Sequence, residues 1–225
     1  MKRSILLAAG AAAFLTLSGV AAAQTPLTPP GRPGSAAYEQ WLGQTLGRLQ
    51  QAADRDAIRQ LAFHYARGND ELSVHFNDRP LGRTRAQAEY AQAFAPDVSI
   101  TVYPLRSSTP LRKVSGIADW IAFADGFFEN AKYSSSLHLM SNFDIRFTGP
   151  DTARASAYAG VPHFIQSTAR TAEAQAVTLE YMLCRYDYVA KRQADGSWRI
   201  TEFTIYLDEI QRSQGFYPGG QASGR

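Results

Sequence analysis

The chain has 225 residues, 45% of them hydrophobic and 19% charged, with a formal net charge of +3. That length gives one sizeable domain with an adequate core. So small a charge argues against a nucleic-acid or membrane-surface partner. Cys184 is the only cysteine, so no intramolecular disulfide can form, and within an apparent strand it reads as a small buried hydrophobe.

Met1-Lys2-Arg3, the apolar run Ile5 to Val20 and Ala21-Ala22-Ala23 have the basic, apolar and small-residue regions of a secretory signal peptide over residues 1–23. A periplasmic or secreted protein is expected, with no membrane contact once the signal is removed. Residues 24–35 are rich in Pro and Gly and read as a linker. The predicted domain spans 36–210 and begins with helix from Ala36 to about Arg67. There Tyr38, Trp41, Leu42, Leu46 and Leu49, then Ile58, Leu61 and Tyr65, recur at three- and four-residue steps. A break is expected near Asp54 to Asp56, where an aspartate would cap a second helix, and Gly68 would end it. Leu72 to Gly82 reads as irregular. Helix is predicted for Arg83 to Phe94 and Ser115 to Lys132, with a strand between them at Val98 to Tyr103. Four strands follow, at Ser136–Phe147, Ala153–Ser167, Ala176–Arg192 and Trp198–Leu207, joined by turns at Gly149-Pro150-Asp151 and Ala194-Asp195-Gly196. The tail 211–225 reads as mobile. Helices first and strand pairs afterwards indicate an α+β domain with its helices packed on one curved sheet.

Four histidines occur, and two of them, His138 and His163, fall at matched places on neighbouring predicted strands. An imidazole gives or takes a proton near neutral pH without a metal. Alternation puts His163 on a face with Ala155, Ala157, Ala159 and Val161, whose small side chains leave volume for a cavity. His138 shares its face with Met140 and Asn142. Tyr65 and Asp70 lie upstream at the end of the first helical segment. Tyr65, Tyr103, Tyr181, Tyr186 and Tyr206 are candidate phenolic donors or aromatic walls. Arg79 and Arg83 could hold an anionic or phenolate substrate. Glu180 and Asp187 could act as acids, but their parity allows at most one of them to face a pocket. No Gly-rich nucleotide loop, Cys pair or His-Glu-x-x-His helix is present. His138, His163 and Asp70 form a donor set that zinc accepts.

Four stretches in order carry a resemblance. They are Asp54-Arg55-Asp56-Ala57-Ile58 through Tyr65-Ala66-Arg67, Ala93-Phe94-Ala95-Pro96-Asp97-Val98, His138 to Asn142, and Asp195-Gly196-Ser197-Trp198-Arg199-Ile200. Together they resemble the SnoaL-like branch of the nuclear transport factor 2-like superfamily over about Asp54 to Leu207. The resemblance implies a cone-shaped α+β barrel, helices on a curved and mostly antiparallel sheet, with a pocket between them. Within that superfamily the site is similar to the scytalone dehydratases, with Asp70, His138 and Val161-Pro162-His163 at matching places. It departs from them at Asn69, which stands where they have a tyrosine, at Val102-Tyr103, and in an insertion over Glu71 to Arg83, so a different substrate is implied.

The resemblance implies elimination without cofactor or metal. His138 would take a proton, while His163, held protonated by Asp70, would donate to the leaving oxygen. The expected function is thus a lyase on a hydroxylated aromatic or cyclic small molecule. Its rivals are carbon–carbon cleavage releasing formaldehyde from lignin-derived aryl-propanediols, isomerase or cyclase activity, and a non-catalytic periplasmic binding protein. A small-molecule substrate and a homo-oligomer, dimer or trimer, are the expected partners.

Overall fold

A computed structural model describes residues 28–165 and 177–216; the predicted signal peptide lies outside them. The chain divides into two compact units between Leu49 and Gln50. In the first, the Tyr38 backbone N–H donates to the Ser35 hydroxyl at 3.4 Å, and the Tyr38 and Trp41 rings lie 5.9 Å apart.

The first helix, α1, is continuous over Ala36–Val74, so the break expected near Asp54 and the stop at Gly68 are both corrected. Asp54 is no cap. It is buried and accepts from Gln50 Nε2 at 3.1 Å, Arg192 at 2.7 Å and the Trp198 indole at 3.0 Å. Gly68 is needed inside the helix because a Cβ there would stand 2.7 Å from Tyr90 Cδ1.

The second helix, α2 (Arg79–Ala93), starts four residues before its predicted position. The Asp78 carboxylate accepts from Leu81 N, and Pro80 fits the first turn, whose N–H groups have no helical partner anyway. The third helix, α3 (Ile117–Ala131), runs from Gly116, with φ +82°, to a left-handed Lys132.

Among the described residues seven strands follow or interleave: β1 (Phe94–Tyr103), β2 (Arg112–Ser115), β3 (Tyr133–Ser136), β4 (Leu139–Gly149), β5 (Thr152–Ile165), β6 (Val177–Arg192) and β7 (Trp198–Phe216). They form one sheet in the order β2-β1-β7-β6-β5-β3, with β4 also paired to β5. Every pairing is antiparallel except β1 with β7, which is parallel. The helices pack on this strongly curled sheet, as predicted. The predicted strand at Ser136 is two strands separated by Leu137 and His138. The structure carries β7 to Phe216, into the predicted tail.

The core joins Ile58, Leu61 and Tyr65 of α1 to Tyr90, Phe94, Ile100, Tyr186 and Phe203. Ala153, Ala155 and Ala159 of β5 belong to that core. The small-residue face therefore packs, and its cavity-facing stretch is confined to Val161 and His163.

Candidate active site

Between α1, α3 and the concave side of the sheet lies a cavity of about 70 Å³. Its walls are mostly apolar or aromatic, with Val102, Phe123, Phe127, Phe128, Met182 and Ile205 prominent; Tyr65, Asn69, His138, His163, Cys184 and Tyr186 add its polar groups.

His138 is placed by the two-residue gap between β3 and β4 and by three bonds centred on Asp70. The His138 Nδ1–H donates to Asp70 Oδ1 at 2.7 Å, and the His138 backbone N–H donates to Oδ2 at 3.2 Å. The Ser136 hydroxyl donates to Oδ1 at 2.9 Å and lies 2.9 Å from the Ser73 hydroxyl. Asp70 and Ser73 are on the same turn of α1, possible only because that helix continues past Gly68. With Nδ1 carrying the proton toward a carboxylate, Nε2 carries the lone pair. His138 is therefore set up as a base.

His163 is in a different state. Asp70 bonds His138 and not His163, so the expected Asp70–His163 pair is corrected. The His163 ring stacks on Tyr133, centroids 4.2 Å apart and planes 28° apart, and meets His138 edge-on at 6.3 Å. Burial, with the neighbouring His138 adding to it, pushes its pKa down to about 4. His163 is thus a neutral imidazole at neutral pH and not a protonated acid.

Tyr65 lies 6.0 Å from the His138 ring, edge-on, and 4.6 Å from Phe203. Burial raises the pKa of Tyr65 and of Tyr186 far above the ordinary phenol value, and that of Cys184 to about 12. Asn69 lines the cavity and accepts from the Tyr90 hydroxyl at 2.6 Å.

The remaining predicted site residues lie elsewhere. Tyr103 and Tyr181 are one residue out of phase with the cavity-lining Val102 and Met182, so they face the other side of the sheet. There Tyr103 stacks on Tyr206 at 5.2 Å and the Tyr181 hydroxyl covers Gly160. Asn142 is exposed, with φ +52°, where the β4–β5 register shifts. Arg79 and Arg83 both pair with the buried Asp125 of α3, at 2.5 Å and 2.6 Å, joining α2 to α3. Ser73, Ser136, Trp120 and Tyr133 were not singled out from the sequence. The run Ser134-Ser135-Ser136 immediately before Leu137-His138 was the available signal for one of them. Among the described residues no group of three or more His, Cys, Asp or Glu is placed to hold a metal, and none of their helices is long and apolar enough to cross a membrane.

The sequence profile of the SnoaL-like domain matches residues 50–204. The chain belongs to that family. As a SnoaL-like protein it shares its fold with solved structures of low sequence identity. One is the hexachlorocyclohexane dehydrochlorinase LinA-type3 of Novosphingobium barchaimii, 15% identical, with 77% of this chain and 99% of that chain covered and a TM-score of 0.54. Another is a proposed scytalone dehydratase of Novosphingobium aromaticivorans, 16% identical, with coverage of 77% and 97% and a TM-score of 0.51. A third is an NTF2-like protein with a cystatin-like fold from the same species, 18% identical, with coverage of 81% and 93% and a TM-score of 0.52. No curated protein matches this SnoaL-like chain.

Proposed function

We propose that the protein is a cofactor-independent lyase that eliminates water from a compact, uncharged, hydroxylated aromatic or cyclic molecule. The observation that carries this reading is the Asp70–His138 pair, bonded at 2.7 Å, with the imidazole on the wall of an apolar cavity. His138 Nε2 takes a proton from a carbon next to a carbonyl or phenol, and the electron pair forms the new double bond. Asp70 stabilises the imidazolium that results. The leaving oxygen then departs with a proton returned by that imidazolium, since neutral His163 has none of its own to supply. His163, Tyr65 and Tyr186 orient the substrate by neutral hydrogen bonds.

The charge class of the substrate follows from the walls. Among the described residues no Arg or Lys lines the cavity, and the two arginines expected to hold an anion are paired with Asp125. A carboxylate entering such a site would lose its hydration without gaining a counter-ion. The same single base favours one alternative, an isomerase in which the imidazolium returns its proton to another carbon.

The test is product mass spectrometry with metal-stripped protein and its His138→Ala variant on neutral hydroxylated aromatic and cyclic compounds and their carboxylated analogues. Loss of water with the native protein alone, and only from neutral compounds, is the expected result. Loss of formaldehyde would reassign the bond that breaks, and an isomer of unchanged mass would favour the isomerase. No product with any compound, alongside measurable binding, would make the protein a binding module.

A further inference from the structure

We infer that Tyr133, Glu180 and Arg212 form a positioning array for His163, running from behind the cavity wall to the protein surface. The array rests on the reading of this cavity as a substrate site, but its geometry stands apart from the Asp70–His138 pair. None of its three members lines the cavity.

Each member satisfies the one inside it. Among the described residues no carboxylate bonds the His163 ring nitrogens, and its plane is set by stacking on Tyr133 at 4.2 Å. The Tyr133 ring is buried between Phe127, Phe128 and His163, so its hydroxyl needs an internal acceptor. It donates to Glu180 Oε1. Glu180 is the cross-strand partner of His163, and its other oxygen accepts from Arg212 Nε, whose own cross-strand partner is Glu180. The Glu180 side chain is 3% exposed and that of Arg212 71%, so the sequence of contacts ends in solvent. Apolar residues of similar volume could fill these positions without desolvating a charge, often at no loss of stability. What the polar array adds is a fixed angle for the Tyr133 ring and hence for the imidazole resting on it. The charged or titratable groups around His163 are His138 with Asp70 of α1 behind it, Tyr133 of β3, Glu180 of β6 and Arg212 of β7. From α3, Phe127 and Phe128 pack against this cluster.

The experiment is imidazole ¹H–¹⁵N NMR of the full chain across a pH series, with His163 assigned by comparison with His163→Phe. Arg212→Leu changes an exposed side chain remote from the cavity, yet it leaves Glu180 without its cation. It should displace the His163 resonances and raise their titration midpoint by about one unit. Arg212→Lys should hold the native midpoint, and the double variant Glu180→Gln, Arg212→Leu should return to it. Tyr133→Phe, which keeps the stacked ring but not its bond, should broaden the His163 signals. Native His163 signals in both Arg212→Leu and Tyr133→Phe would overturn the array. These readings need no turnover, so they separate the array from the lyase reading. Where turnover is found, Arg212→Leu should lower kcat with KM little changed.

Discussion

His138 and His163 border one cavity, yet their surroundings differ: a carboxylate bonds the His138 ring, while the His163 ring stacks on Tyr133. Exchanging Asp70 for Asn keeps the shape of the Asp70–His138 pair while removing the charge that stabilises the imidazolium. Turnover should fall roughly 10³-fold with the fold intact, as measured by initial rates beside near-UV circular dichroism. His163 makes a prediction about stability. Its folded pKa is lowered from 6.5 to about 4, so between these values the unfolded chain binds a proton that the native chain does not. Its contribution is fully present above pH 6.5 and is lost as the pH falls through 4, worth about 3 kcal/mol at most. His163→Phe, which can keep the stack on Tyr133, should flatten urea-unfolding stability across that window relative to the native protein. An unchanged pH slope would mean that His163 is already charged in the folded state. The sequence made both histidines and Asp70 legible because their spacing on neighbouring elements is a local property. It did not reveal which histidine Asp70 bonds, because that depends on the gap at Leu137-His138 and on α1 passing beyond Gly68.

At the scale of single elements, glycine placement separates what periodicity can and cannot tell. Gly68 and Gly126 both lie inside helices, where alanine is intrinsically better by about 1 kcal/mol. At Gly126 a Cβ would meet nothing within 4 Å, so Gly126→Ala should raise Tm. At Gly68 it would press on the fully buried Tyr90 ring, which is pinned through its hydroxyl to Asn69. Overpacking of that kind costs about 1–3 kcal/mol, so Gly68→Ala should lower Tm in calorimetry. Read from sequence, Gly68 resembles a helix stop because a close aromatic neighbour from α2 leaves no local trace. The same limit explains Tyr103 and Tyr181: strand alternation was readable, but which phase faces inward depends on the partner strands. The four-residue β2 had too few residues to show any alternation at all.

Across the whole second unit, the end of the sheet away from the cavity is held by Asp54. Burial works against its charge, but bonds from Arg192, Trp198 and Gln50 outweigh that and hold its carboxyl below the usual range. Asp54→Asn should cost about 2 kcal/mol at neutral pH, and the deficit should shrink as the pH falls below 4, where the unfolded chain's Asp54 takes up a proton that the native carboxylate, held at a lower pKa, does not. Denaturant titrations at pH 7 and pH 3 would measure both. The α+β class and the curved sheet were legible because helical and strand periodicities segregate along the chain. The parallel pairing of β1 with β7 was not, since both strands carry the same alternation whichever way they run.

That pairing bears on how the molecule comes to exist. β7 lies between β1 and β6, so until it arrives the sheet is two fragments, each ending in an open edge. Ribosomal synthesis delivers this central strand after every other strand has emerged. The curled wall, and with it the cavity, therefore assembles last and from both sides at once, and any chain interrupted before Trp198 presents two unpaired edges to whatever else is nearby.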